Sequence, residues 1–273
     1  MAKQVVGSLP ASLSKKDVEA LNRESPVLAK AKLGSYLFQE KSSVVVDFKA
    51  VCPACFNDTL VAGRVAPTGT TGDENWMDIG GKHFEYHILG TQTIVAPEWA
   101  PSSGLNISMD QTDNDGVEIS NGISSSSPQA YTVGSDVFYF SCKFSIADVS
   151  GSDDCAVGFR KAEAYQAAID GYDEMAALNL ISGTVTIESI LNNAATSSTA
   201  TSSTVADAGS VTLRLEVGLN GKVKFLVDGS EVSDAVFTFD ADEVVIPFFY
   251  FLHASDVAGD VILQEWESGK LKQ

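Results

Sequence analysis

The residues of this 273-residue chain best suited to chemistry are its 4 cysteines and 3 histidines. Cys52-Pro53-Ala54-Cys55 closes the stretch SSVVVDFKAVCPACF, and His83 and His87 follow at the spacing C-x2-C-x27-H-x3-H. Two chemistries suit that pattern. A Cys-x-x-Cys at a helix N-terminus has a lowered thiol pKa and acts as a redox nucleophile. Two thiolates and two imidazoles hold zinc tetrahedrally.

The redox reading needs a long helix after Cys55. The chain instead continues FNDTLVAGRVAPTGTTG, with Gly63, Pro67, Gly69 and Gly72 in the helical region and poor helix formers at Asn57, Asp58 and Thr59. The zinc reading meets a gap about twice that of a finger. His87 also lies in FEYHILG, which has strand character. Residues four apart on a strand share a face but sit about 13 Å apart. A turn with two small, partly buried thiols is expected, with no metal and no cofactor. Cys142 and Cys155 fall on apolar strand faces, where a thiol behaves as a small hydrophobe. DQTDNDG (110–116) offers Asp110, Asp113 and Asp115 to calcium, but Gly122 stands where an EF-hand has its bidentate Glu. An Asx-rich turn is the simpler expectation. His253, beside an apolar run, reads as a packed histidine, and Trp76, Trp99 and Trp266 suit either sugar stacking or packing.

The elements that would position these groups change character along the chain. SKKD (14–17) is a capping pattern with Val18 and Leu21 at helical spacing. Pro26 can start a second helix, PVLAKAKLGSYLFQ, with Leu28, Leu33, Tyr36 and Leu37 as its apolar positions. Residues 57–82 read as loop. From about residue 84 the pattern has period two. In FYFSCKFSI, Phe138, Phe140, Cys142, Phe144 and Ile146 alternate with Tyr139, Ser141, Lys143 and Ser145. VTLRLEV and KVKFLV repeat this, with Asn220-Gly221 between them, Asp228-Gly229 after them, and Ser182-Gly183 turning LISGTVTI. EVVIPFFYFL is a nearly continuous apolar strand whose Pro247 predicts a bulge or an edge position. Residues 161–169 predict a short helix, and 192–210 a low-complexity polar loop. The expected organisation is an N-terminal arm and connector over 1–83 and an antiparallel β-sandwich over 84–273.

Charge narrows the partners. Residues 1–50 hold 8 Lys and Arg against 5 Asp and Glu, while the remainder holds 10 against 31. So acidic a body lacks the clustered cations through which counterion release drives nucleic-acid binding. A mildly basic arm suits attachment to another surface. No run of about 18 apolar residues provides a membrane span. The N-terminus lacks an apolar signal core, so folding in a cytoplasm is expected.

VTLRLEVGLNGKVKFLVDGSEV resembles the paired central strands of concanavalin A-like lectin/glucanase domains. GLNISMD, DVFYFSCKFSI, CAVGFRK and VILQEWESG fit the same jelly roll, so the resemblance covers roughly residues 84–270. It implies a mainly β, antiparallel jelly-roll sandwich, here with an N-terminal helical arm. Retaining glucanases of that superfamily place their acids as E-x-D-x-E or E-x-D-x-x-E on one strand, and neither pattern occurs. Glu265 and Glu267 share a face with only Trp266 between them, and FDADE (239–243) reads as a turn. The layout is also similar to a tailed-phage virion protein. That likeness implies a non-enzymatic capsid decoration (cement) protein, assembled in the host cytoplasm and typically trimeric. Its arm residues Leu28, Leu33, Tyr36 and Leu37 would pack on the major capsid protein lattice or on sister subunits. The alternative is a lectin-like, glycan-binding module of a head fibre or tail.

Overall fold

Alternating apolar and polar side chains give strands with one buried face, and two such sheets bury those faces against each other. The computed structural model describes residues 44–49, 74–79, 82–91, 97–100, 102–108, 112–122, 124–254 and 260–271. All of them belong to one compact unit spanning residues 42–273. The predicted arm helices, with Leu28, Leu33, Tyr36 and Leu37, and the Cys52–Cys55 turn lie outside the described residues.

Two antiparallel sheets form the sandwich. One runs in the order β15 (Ser230–Val232), β14 (Val223–Val227), β13 (Ser210–Val217), β8 (Phe138–Ile146), β17 (Val261–Lys270), β5 (Gly104–Asn106) and β4 (Glu98–Ala100), with β1 (Val44–Asp47) also on β17. The other runs β12 (Ser197–Thr204), β11 (Thr184–Ile190), β10 (Met175–Ile181), β9 (Ser152–Lys161), β16 (Val244–His253), β6 (Gly116–Ser120), β3 (Lys82–Leu89) and β2 (Glu74–Ile79), with β7 (Tyr131–Thr132) on β16. The chain changes sheets between β1 and β2, β3 and β4, β5 and β6, β7 and β8, β8 and β9, β12 and β13, β15 and β16, and β16 and β17, as in a jelly roll.

The alternation seen in the sequence sets the core. Phe138, Phe140, Cys142, Phe144 and Ile146 are buried, facing Cys155, Val157, Phe159, Phe249 and Phe251 of the other sheet. Phe144 meets Phe249 edge-on at 5.4 Å between ring centroids, and Phe138 meets Phe159 at 5.0 Å. The turns match their residues. Ser182 and Gly183 both have positive φ (45° and 83°), as do Asp228 and Gly229 (48° and 79°). That is the backbone a type I′ hairpin requires.

Several expectations are corrected. Residues 74–79, expected as loop, form β2 and pair with β3. The segment 192–210, also expected as loop, contains β12, because its Ser/Thr alternation fits a half-exposed strand beside β11. Thr201 of that strand turns inward and donates to the Val185 carbonyl at 2.7 Å. The helix predicted over 161–169 is absent. Lys161 still belongs to β9, and the Lys161 and Glu163 carbonyls accept hydrogen bonds from the Arg160 guanidinium. A first helical turn would need those acceptors for itself. Pro247 lies in an interior strand rather than at an edge. On one side of β16, Val244–Val245 pair with β7 and Phe248–Leu252 with β6. Pro247 falls in the gap between those partners, where no ladder needs its missing N–H.

Candidate functional site

The outward face of the nine-stranded sheet collects the polar groups that the core excludes. Ala156, Gly158 and Arg160 point outward from β9, opposite the core residues Cys155, Val157 and Phe159. Gly158 is required there, since a Cβ would lie 2.2 Å from the Ala176 carbonyl oxygen. The segment 162–173 then folds back across this face. Its Ile169 and Tyr172 pack with Met175, Ala177, Phe248 and Tyr250 in a second apolar cluster. Both faces of β16 are therefore covered, which explains its continuous apolar sequence.

Under that segment lies a buried ionic network. Arg160 Nε and Nη2 donate to Glu118 Oε1 at 3.0 and 2.7 Å, and Nη1 donates to the Lys161 and Glu163 carbonyls at 3.1 Å each. The Tyr172 hydroxyl donates to Glu118 Oε2, and the Arg160 guanidinium sits 4.4 Å from the Tyr172 ring centroid. Glu118, Arg160 and Tyr172 are each 0% exposed. Burial works against the Arg160 charge, but the Glu118 carboxylate outweighs it and holds the guanidinium pKa above its usual value. Burial first, then the neighbouring Glu118 charge, pushes the Tyr172 phenol well up, so it stays a hydrogen-bond donor.

His87, on β3 in register with Glu118, stacks on Tyr165 at 4.6 Å and 8°. Neither of its ring nitrogens has a hydrogen-bond partner among the described residues. Burial, with the Arg160 charge second, lowers its pKa from 6.5 to about 4. Further along the sheet, one amide joins two acids. Asn179 Nδ2 donates to Asp154 Oδ1 at 2.6 Å and to Glu188 Oε2 at 2.8 Å, and Asn179 Oδ1 accepts from the Cys155 N–H at 2.8 Å. Burial raises the Asp154 pKa from 3.8 to about 6, with Glu188 adding to the rise and the Asn179 hydrogen bond opposing it. Asp154 is the partly exposed member of this group.

The residues singled out in the sequence are scattered. Cys142 and Cys155 are free, buried thiols in the core. Backbone pairing places His83 opposite Asp78 on β3, four residues before His87 on a regular strand. His253 is buried, and its Nε2 donates to the Ser108 carbonyl at 3.0 Å. Trp266 is a core residue, packed edge-on against Phe84 at 5.3 Å and tilted on Phe140 at 4.4 Å. Glu265 and Glu267 do share the outward face of the eight-stranded sheet. There Glu265 pairs with Lys143 at 3.5 Å and Glu267 accepts from the Tyr139 hydroxyl at 2.6 Å. Of the acidic loop, Asp113 is exposed in a turn, whereas Asp115 is buried and accepts from the Thr91 N–H at 2.7 Å. Asp110 lies outside the described residues. The network of Glu118, Arg160, Tyr172 and His87 and the Asp154–Asn179–Glu188 group were not found from sequence. The one available signal was Arg160, placed out of phase with the apolar positions of CAVGFRK.

No family model matches the chain, and no curated protein matches it. Solved structures similar to it include the Emp47p carbohydrate recognition domain, at 11% identity and TM-score 0.45, covering 79% of this chain and 99% of that one. Another is the alginate lyase PA1167 from Pseudomonas aeruginosa, at 11% identity and TM-score 0.44, covering 72% and 86%. A third is the Bacillus licheniformis beta-glucanase, at 12% identity and TM-score 0.44, covering 86% and 100%.

Proposed function

We propose that this chain is a non-enzymatic structural protein of a virion, of the capsid decoration type, which displays a rigid β-sandwich and attaches through its N-terminal arm. One observation supports display over turnover. The strongest polar constellation on the sandwich, Glu118 with Arg160 and Tyr172, is satisfied within the chain and sealed under residues 162–173. A carboxylate whose two oxygens already serve a guanidinium and a phenol is held as a strut, not as an acid or base for a substrate. The virion assignment is supported by the sequence layout, a mildly basic arm ahead of a strongly acidic body. Attachment would come from burial of Leu28, Leu33, Tyr36 and Leu37 against the capsid lattice or sister subunits, multiplied by many copies. The test is co-sedimentation of the full chain with capsids of its source virus. Wild type is expected in the pellet, and a variant carrying Leu28→Asp and Leu37→Asp in the supernatant; equal pelleting of both would refute the arm.

A second reading, lectin-like glycan binding, is favoured by the Asp154–Asn179–Glu188 group. It is a set of planar polar side chains at which solvent reaches the nine-stranded sheet. Saturable binding on a glycan array, abolished by Asp154→Asn, would establish it; no binding by wild type would remove it.

A further inference from the structure

The sheet edges differ sharply in how they are protected. An open edge exposes unpaired N–H and C=O groups, and proteins blunt such edges with charge, proline or short strands. Strands β4 and β15, which end the eight-stranded sheet, are 3 residues each, and β2, at one end of the nine-stranded sheet, carries Glu74 and Asp78. Strand β12, at the other end, is 8 residues long, pairs only with β11 among the described residues, and is largely exposed. No charged residue and no proline occurs anywhere between Glu188 and Asp207, in a chain of net charge −18. Along this stretch two such acidic molecules can approach without like charges facing each other. Its one irregularity is a bulge in which Thr201–Ser203 stand opposite Val185 alone, between the Ala200–Thr186 and Thr204–Thr184 pairs, and there Thr201 Oγ1 accepts from the Ser203 N–H at 3.1 Å.

The sequence of the edge also suits itself. Thr196 to Thr204 reads TSSTATSST, identical in both directions about Ala200. In an antiparallel pair of identical strands centred on Ala200, Thr199 faces Thr201, Ser198 faces Ser202, Ser197 faces Ser203 and Thr196 faces Thr204. The serine pairs and the Thr196–Thr204 pairs then bring like hydroxyls together, which stabilises adjacent strands, while Thr201 keeps its hydroxyl on the Val185 carbonyl of its own chain. We infer that β12 is a self-association edge: a second copy of this chain pairs antiparallel with it across a two-fold axis at Ala200, joining two nine-stranded sheets into one. The contact is isologous, so it closes in pairs and builds only even-numbered assemblies. It rests on the fold and is independent of the attachment reading above.

The test is light scattering on the full chain, wild type and with Ser198→Lys plus Ser202→Lys. Both serines are exposed, so the added side chains reach solvent in the single chain, while the pairing would set their ammonium groups opposite one another. Wild type is expected to show an even number of chains and the variant half that mass. A wild-type monomer or trimer, or a mass that the variant leaves unaltered, overturns the inference. Ala200→Cys checks the register, because a residue on the axis faces its own copy within disulfide reach. Mild oxidation is expected to give a covalent pair there and none for Val236→Cys, which is 73% exposed elsewhere on the surface. If Ala200→Cys stays uncrosslinked, the register is wrong.

Discussion

Tyr172 reaches across 54 residues of sequence to donate its hydroxyl to Glu118, whose other carboxylate oxygen is already held by Arg160. This contact pins the 162–173 segment over the outer face of the nine-stranded sheet. Glu118→Gln would leave a fully buried guanidinium without its counter-charge. The expected cost is about 3–5 kcal/mol in urea unfolding, with most of it recovered when Arg160→Met is combined with Glu118→Leu. Equal losses for the single and paired changes would contradict the strut.

His87 should give the fold an acid-sensitive limb. Its pKa is depressed in the folded chain, to about 4 from 6.5, so the unfolded chain binds the proton first as pH falls. Stability from this residue is complete above about pH 6.5, declines between there and about pH 4, and then levels off. The loss is on the order of 3 kcal/mol. His87→Phe is expected to flatten that limb in unfolding curves collected from pH 7 to 4.

Asp154 acts in the opposite sense. Its pKa is raised, to about 6 from 3.8, so the folded chain holds the proton more tightly. The associated stability is full below about pH 3.8 and lost as pH rises through about 6. Asp154→Asn, which keeps an oxygen for Asn179, is expected to raise the melting temperature at pH 7 and leave it unchanged at pH 3.5. A lower melting temperature at pH 7 would contradict this sign.

Cys142 and Cys155 are fully buried, and burial pushes both thiols well up from their ordinary range. In a Cys52→Ser, Cys55→Ser background, native protein is expected to show no thiol reacting with a disulfide reagent. Two should react in denaturant. Any native reaction would show that the core opens locally.

The sequence carried the fold through period and turn chemistry. The alternation of Phe138 to Ile146 and the Ser182-Gly183 and Asp228-Gly229 turns each had a local cause, and each appears as a strand or hairpin. What stayed hidden depends on register. Glu118 and Arg160 meet diagonally across β16, Glu118 standing opposite Tyr250 and Arg160 opposite Ile246, a relation between residues 42 apart in sequence that no local pattern encodes. The same limit hid β12, whose Ser/Thr run becomes a strand only with β11 beside it. It also hid the joining of Asp154 to Glu188 through Asn179, because those acids come from different strands, whereas the glucanase pattern sets its acids on one.

The proposed role is attachment to a virus particle through the N-terminal arm. Quantitative mass spectrometry of purified virions of the source virus tests it most directly. This protein is expected at a copy number in fixed proportion to the major capsid protein. That proportion should collapse when Leu28, Leu33, Tyr36 and Leu37 are changed to Asp. Virions that lack the protein, or that retain it undiminished after those changes, would contradict attachment through the arm.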